Sequence, residues 1–321
     1  MASIVVFSDD HCKYFFFYIR GNISASLFVF GMLYCPSHET TTTWGNEDLR
    51  MITMQKFAES SYKTMPFQQG FFARLFPSCL FYADIISIVI RAGYKAKRNR
   101  YDNREWIASS QETIHALEKV GVQLEVTGMD AYQPLDKPCV FIGNHMSTLE
   151  TFVLPSLIAP FRDVTFVVKQ ALLEYPVFKH VMRSRNPIAV GRSNPRDDLR
   201  AVLEGGTEKL HAGISLIIFP QATQTTRSVT FDPESFNTIG IKLAKKAGVP
   251  VIPFALKTDA WGLGTFLKDY GEIDPAKKVY FAFDKPLMIK DRGIEEHQQI
   301  IAFIQKKLKE WEEENRKSRK D

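Results

Sequence analysis

The run Asn144-His145-Met146-Ser147-Thr148-Leu149-Glu150 sets an imidazole and a carboxylate five positions apart, directly after the apolar run VFIGN. On a turn from a strand into a helix, a histidine side chain can face a cleft. A carboxylate on the first helical turn can then reach back to one ring nitrogen. Such a carboxylate fixes the tautomer, and the other nitrogen can take a proton from a hydroxyl. This is the histidine–carboxylate half of a serine-hydrolase triad, with a substrate hydroxyl in the nucleophile's place. The same residues admit a purely structural reading. Ser147-x-x-Glu150 is a capping box, in which the carboxylate satisfies backbone donors at a helix start. On spacing alone both readings of His145 and Glu150 stand.

Lys169, closing the run TFVVK, is a candidate for recognising an anion, the alternative being a solvated strand end. Arg192 carries a guanidinium fork suited to phosphate oxygens, the alternative being a surface arginine in a loop beside Asn194 and Asp197. His115, His180, His211 and His297 lie on helical stretches without ligand spacing and receive no role. Cys12, Cys35, Cys79 and Cys139 form no C-x-x-C pair and are read as free thiols in a reducing compartment, with no metal site expected. Gly205-Gly206 sits inside a helical pattern and follows no strand, so it is not a dinucleotide-binding loop.

The elements that must position these residues begin after residue 120. Seven short apolar runs read as strands: 123–127, 139–143, 164–168, 187–190, 215–219, 251–256 and 279–283. Helical patterns over 147–158, 171–183, 196–212 and 235–247 lie between them, and Ile300, Ile301, Ile304, Leu308 and Trp311 form one stripe of a closing helix. The alternation predicts an α/β fold, a mainly parallel sheet of about seven strands with flanking helices. Ligands of such sheets gather at the carboxyl ends of the strands.

The first third has a different texture. Residues 71–90 read FFARLFPSCLFYADIISIVI, about the length a bilayer span requires, but Arg74, Pro77 and Asp84 interrupt it. The basic residues Arg91, Lys95, Lys97, Arg98, Arg100 and Arg104 follow. An aromatic stretch backed by base predicts a membrane-associated helical segment over 51–118 that lies against anionic lipid, the alternative being a buried helix followed by a solvated face. Residues 1–50 show two apolar patches and a threonine run without a clear helical or strand period. They are expected to be a poorly patterned leader lying upstream of a start at Met51 or Met54. The net charge of +5 fits an anionic surface or a phosphate-bearing substrate and is too small to call for nucleic acid, which no motif supports either.

Four ordered blocks resemble the glycerolipid acyltransferase family, that of the lysophosphatidic acid acyltransferases. NHMSTLE follows the family's N-H-x-S-x-x-D with glutamate in place of aspartate, and NPIAVGRSN follows the strand that ends in a phosphate-binding arginine, here Arg192. Phe219-Pro220-Gln221-Ala222-Thr223-Gln224 stands where the family has F-P-E-G-T-R, and Val249-Pro250-Val251-Ile252-Pro253 matches its V-P-V-x-P. Order and spacing agree over about residues 120–290. In the third block Gln221 keeps hydrogen bonding but loses charge, Ala222 narrows the freedom glycine would give, and Gln224 replaces the family arginine, with Arg227 three residues on as a candidate substitute.

The resemblance implies an O-acyltransferase of phospholipid biosynthesis. His145 would deprotonate the hydroxyl of lysophosphatidic acid or a related lysophospholipid as it attacks the thioester of acyl-CoA or acyl carrier protein, and Glu150 would orient His145 and stabilise its imidazolium. Arg192, Lys169, Gln221, Ala222, Thr223 and Arg227 would bind substrate, with backbone amides of the Phe219–Thr223 loop steadying the oxyanion. No metal or bound cofactor is implied, the acyl donor being a consumed substrate. The protein would be membrane-associated, its active site on the cytoplasmic side. The altered third block leaves two alternatives: another lipid acceptor, or a catalytically silent lipid-binding protein of the same fold.

Overall fold

In the computed structural model, the described residues are 60–65, 69–175, 178–191, 193–221, 231–264 and 270–317, with the backbone of 2–8 and 13–19. The chain divides into two compact units, Met1–Leu49 and Arg50–Asp321. In the first, strands β1 (Ala2–Ser8) and β2 (Lys13–Ile19) pair antiparallel, Ala2 opposite Ile19 and Ser8 opposite Lys13. The ladder forms although neither segment shows a clear strand period. Both segments are rich in β-branched and aromatic residues, a strand preference that period counting misses when the apolar run is unbroken.

The second unit is built on an eight-stranded sheet in the order β3-β4-β10-β9-β5-β8-β6-β7. Its strands are β3 (Tyr62–Lys63), β4 (Leu124–Thr127), β5 (Val140–Gly143), β6 (Val164–Lys169), β7 (Ile188–Val190), β8 (Ser215–Ile218), β9 (Val251–Lys257) and β10 (Val279–Phe283). All seven runs read from the sequence form strands. The sheet is nevertheless mixed rather than mainly parallel, because β10 runs antiparallel to β9 and β3 antiparallel to β4. Every residue of β5, β8, β9 and β10 is buried. A strand buried on both faces shows the same continuous apolar run in either direction, so direction is not encoded in the pattern. The two-residue β3 has no period to read.

Helices α1 (Phe71–Leu75), α2 (Pro77–Lys97) and α3 (Asn103–Lys119) precede the main strands. Pro77 breaks the apolar stretch into two helices and takes the first position of the second, where its missing N–H costs nothing. Phe81, Ile85, Ile88, Val89, Ala92 and Ala96 make the buried stripe of α2, which packs on α3 and on α5 (Phe178–Ser184). Among the described residues no helix is long and apolar enough to cross a membrane. Several of the basic residues that follow are paired, Arg91 with Glu112, Lys95 with Glu105 and Lys119 with Asp84.

The remaining helices are α4 (Leu149–Ile158), α6 (Pro195–His211), α7 (Ile239–Ala247) and α8 (Ile294–Lys317). The single helix expected over 171–183 is instead a 3-10 turn, Gln170–Leu173, and α5; the sequence carries Pro176 between them. Helix α8 buries Ile300, Ile304, Leu308 and Trp311, while Ile301 of the expected stripe is only half-buried. Gly205 and Gly206 fall within α6, where a side chain at Gly206 would run into Leu243 of α7.

Candidate active site

Strands β9, β5 and β8 lie side by side and parallel, with Gly143 level with Phe254 and Ile142 level with Ile218. Their carboxyl ends therefore deliver three chain segments to one place. His145 follows β5, Phe219–Gln221 follow β8, and Thr258 follows β9. Asn144 ties two of these ends together: its side-chain amide donates to the Leu256 carbonyl at 2.8 Å, and its oxygen accepts from the Leu256 amide at 2.9 Å. The fourth sequence block serves the same assembly. Gly248 caps α7 in the left-handed region, and the Pro250 carbonyl accepts from the Val140 amide at 3.0 Å, zipping β9 onto β5.

His145 and Glu150 are in contact, Nδ1 to Oε1 at 2.7 Å. The imidazole is mostly enclosed, with 15% of the side chain exposed, and the Glu150 side chain is fully buried. Glu150 also performs the capping duty that was the structural alternative. Its Oε1 accepts from the Met146 amide at 2.6 Å and the Ser147 amide at 2.9 Å, both ahead of the α4 amino terminus. One carboxylate thus serves both purposes. Its Oε2 accepts from the Thr258 hydroxyl at 2.7 Å and lies 3.0 Å from the Ser147 hydroxyl. Burial alone would raise the carboxyl pKa. The hydrogen bond and charge of His145, the Thr258 hydroxyl and the Ser147 amide outweigh it and hold Glu150 below its ordinary value. The site therefore holds an anion at a helix amino terminus, beneath a histidine whose Nδ1 is committed to it.

Phe219 stacks on the imidazole, ring centroids 4.6 Å apart and planes inclined by 25°, and is itself backed by Phe254 at 5.8 Å. Gly143 is required by this packing. A Cβ there would lie 2.3 Å from the Phe254 ring and 2.5 Å from the Phe254 carbonyl. Gly143→Ala is expected to cost about 1–3 kcal/mol through overpacking; an unchanged urea midpoint would contradict this contact.

Of the candidate substrate residues, Gln221 is brought to the couple. It is buried, and its Oε1 accepts from the His145 amide at 2.8 Å. It contacts the catalytic candidate's backbone, which a neutral amide can do as well as the glutamate that the family carries. Lys169 ends β6 at the same edge of the sheet, two strands from β5, and is exposed. Arg192, Ala222, Thr223 and Arg227 lie outside the described residues. The neighbours of Arg192 are anchored: Asp198 accepts from the Gly191 amide at 2.8 Å, and Asn194 caps α6 through the Arg196 amide. Sequence reasoning does not single out Thr258, Phe219 or Asn144. Only Asn144 and Phe219 have a signal there, as members of the first and third blocks. Among the described residues no three His, Cys, Asp or Glu side chains cluster as a metal ion would need. Cys79 and Cys139 form no disulfide, and burial pushes the Cys139 thiol up to about 11.

Residues 123–257 match the family model described as Acyltransferase. A 1-acyl-sn-glycerol-3-phosphate acyltransferase of Pseudomonas aeruginosa is 36% identical over 135 residues, 42% of this chain and 49% of that protein. A chloroplastic 1-acyl-sn-glycerol-3-phosphate acyltransferase of Brassica napus is 27% identical over 163 residues, 51% of this chain and 43% of that one. The chain thus spans about half the length of the curated relatives it matches. The fold is shared with the crystal structure of the 1-acyl-sn-glycerophosphate (LPA) acyltransferase from Thermotoga maritima, with a TM-score of 0.52 at 19% identity, covering 82% of this chain and 96% of that one.

Proposed function

We propose, on the premise that residues 123–257 are an acyltransferase domain of the 1-acyl-sn-glycerol-3-phosphate acyltransferase kind, that the chain moves a fatty acyl group from a thioester to the hydroxyl of lysophosphatidic acid or a closely related lysophospholipid. The observation that carries this reading is the His145 Nδ1–Glu150 contact of 2.7 Å at the carboxyl edge of the sheet. With Nδ1 held by the carboxylate, Nε2 is the nitrogen that takes the acceptor's proton. The acceptor oxygen adds to the thioester carbonyl, and the imidazolium formed is stabilised by Glu150. Collapse of the tetrahedral species breaks the carbon–sulfur bond, and the imidazolium returns its proton to the departing thiolate. The products are an ester and a free thiol.

The developing oxyanion is assigned to backbone amides of the loop after Phe219, and the acceptor's phosphate to Lys169, Arg192 and Arg227. Acyl-CoA or acyl carrier protein supplies the acyl group as a consumed substrate, without a resident cofactor. The test is transfer of label from acyl-CoA in mixed micelles to lysophosphatidic acid, with lysophosphatidylcholine and glycerol 3-phosphate as rival acceptors. Labelled phosphatidic acid as the dominant product is the expected result. Label on a rival acceptor alone would move the assignment, and no transfer to any of them would count for a silent lipid-binding protein.

The reaction is placed at a membrane surface, where such an acceptor resides. Support comes from exposed apolar side chains along α1 and at its step into α2: Phe71 is 74% exposed and Phe72 70%, with Leu75 and Phe76 more than half exposed. A monomer gains nothing by leaving so many large apolar side chains together in water, whereas a bilayer interface absorbs them. Exposed Lys97, Arg98, Arg100 and Arg104 add attraction to anionic headgroups. Phe71→Ser with Phe72→Ser is expected to weaken sedimentation with phosphatidylglycerol vesicles by about tenfold or more, since each buried ring contributes roughly 1.5–3 kcal/mol. Binding that is unaltered by the pair would remove this surface from the account.

A further inference from the structure

The family resemblance leaves one physical question at the couple. Glu150 is a methylene longer than the aspartate of the family block, so something must fix where its carboxylate sits. The amides of Met146 and Ser147 and the imidazole of His145 all meet Oε1, while Oε2 takes the shared Ser147 amide at 3.1 Å and the Ser147 hydroxyl at 3.0 Å, all from its own turn. The Thr258 hydroxyl, at the end of the neighbouring strand β9, donates to Oε2 at 2.7 Å from 108 residues away in sequence, the one donor to this oxygen outside the local turn among the described residues. Thr258 is fully buried, and the Ser147 hydroxyl lies 2.9 Å from its oxygen, closing a small ring around Oε2.

The segment carrying Thr258 is itself pinned. Asp259 pairs with Lys257 at 2.6 Å and with Lys277 at 3.3 Å, and the Thr258 carbonyl accepts from the Trp261 amide at 3.1 Å. A hydroxyl on so constrained a backbone gives a fixed reference point for the carboxylate. It lies one residue beyond the stretch that matches the family model.

We propose that Thr258 is a positioning residue for the acyl transfer, its hydroxyl fixing the longer Glu150 carboxylate so that Oε1 orients His145. This rests on the reading of the previous subsection. Because Thr258 is fully buried and acts through Glu150, it governs the rate of the bound complex rather than binding. Thr258→Val, which keeps shape and removes the donor, is expected to lower kcat about tenfold or more with KM for donor and acceptor nearly unchanged, as for a lost hydrogen bond to a charged group. Thr258→Ser restores the donor and is expected to recover most of the rate.

A second readout needs no turnover. The titratable group facing Glu150 is His145 from its own turn, and the other donors to its carboxylate are the hydroxyls of Ser147 and Thr258 and the amides of Met146 and Ser147. Glu150 is held below its ordinary carboxyl value, so its charge stabilises the fold above that value, and the contribution disappears as pH falls through the lowered one. Removing the Thr258 donor moves the folded value back up toward the ordinary one, so Thr258→Val is expected to lose less stability on acidification than wild type or Thr258→Ser, the urea midpoints converging as pH falls.

The experiment is kinetics on wild type, Thr258→Val and Thr258→Ser beside urea unfolding from pH 7 down to pH 3. A selective kcat loss rescued by serine, with a shallower acid limb in Thr258→Val, supports the proposal. An unaltered kcat, a change confined to KM, or an unmoved acid limb overturns it. A wild type without transfer sinks the acyltransferase reading instead, and the acid limb then decides alone whether Thr258 fixes Glu150.

Discussion

Replacing His145 by alanine is expected to lower acyl transfer by about a hundred- to ten-thousandfold, the range that a positioned general base contributes. The loss should fall on kcat, because the imidazole acts on a proton in flight and holds no part of the substrate otherwise. The protein should remain folded. His145 sits at the sheet edge, and the Glu150 carboxylate it leaves behind keeps the Met146 and Ser147 amides and the Thr258 hydroxyl as donors. Melting within a few degrees of wild type, together with lost turnover, is the predicted pair of results. Retained turnover would mean that another group takes the proton.

Glu150→Gln is the second large effect, and it separates charge from shape. The amide oxygen can take the Oε1 place and still accept from His145 Nδ1, so ring orientation survives. The negative charge beneath the ring does not, and the imidazolium formed in the transition state is left uncompensated. A fall in kcat of about a hundred- to ten-thousandfold follows, similar in kind to a neutralised triad acid. The same variant tests the pH dependence. Wild-type stability includes a contribution from the ionised Glu150 that is complete above the ordinary carboxyl value and is lost on acidification through the lowered value. Without the ionisable group that part of the acid limb is absent, so the urea midpoints of wild type and variant should converge as pH falls. Parallel curves would show that Glu150 is not held as an anion.

The parts of this site that can be read from sequence are the local ones. His145 and Glu150 are five residues apart, and a strand-to-helix turn is enough to bring them together. Spacing cannot choose between relay and capping box because both use the same carboxylate, and the folded protein has it doing both. Thr258 is invisible for the opposite reason: its only tie to Glu150 is the pairing of β9 beside β5, a contact made by topology across the whole domain. Phe219 can be placed in a motif, but its stacking under His145 depends on β8 lying on the other side of β5.

The sheet shows the same division. Burial and strand identity are legible because buried strands need unbroken apolar runs. Direction is not, and so β10, which runs against β9, cannot be told from its parallel neighbours. In the amino-terminal third, FFARLFPSCLFYADIISIVI reads as one stretch poised against lipid. In the folded chain it separates into two parts. Helix α2 buries a stripe in the domain, while Phe71, Phe72, Leu75 and Phe76 keep the exposed apolar face.

The most direct test of the central claim is a count of products. With acyl-CoA and lysophosphatidic acid in mixed micelles, free thiol and phosphatidic acid should appear one for one. Neither should form when the acceptor is withheld, because in the proposed mechanism the acceptor's own hydroxyl is the nucleophile that His145 activates. A burst of free thiol without acceptor, leaving acyl-labelled protein, would contradict direct transfer and place the acyl group on the enzyme first.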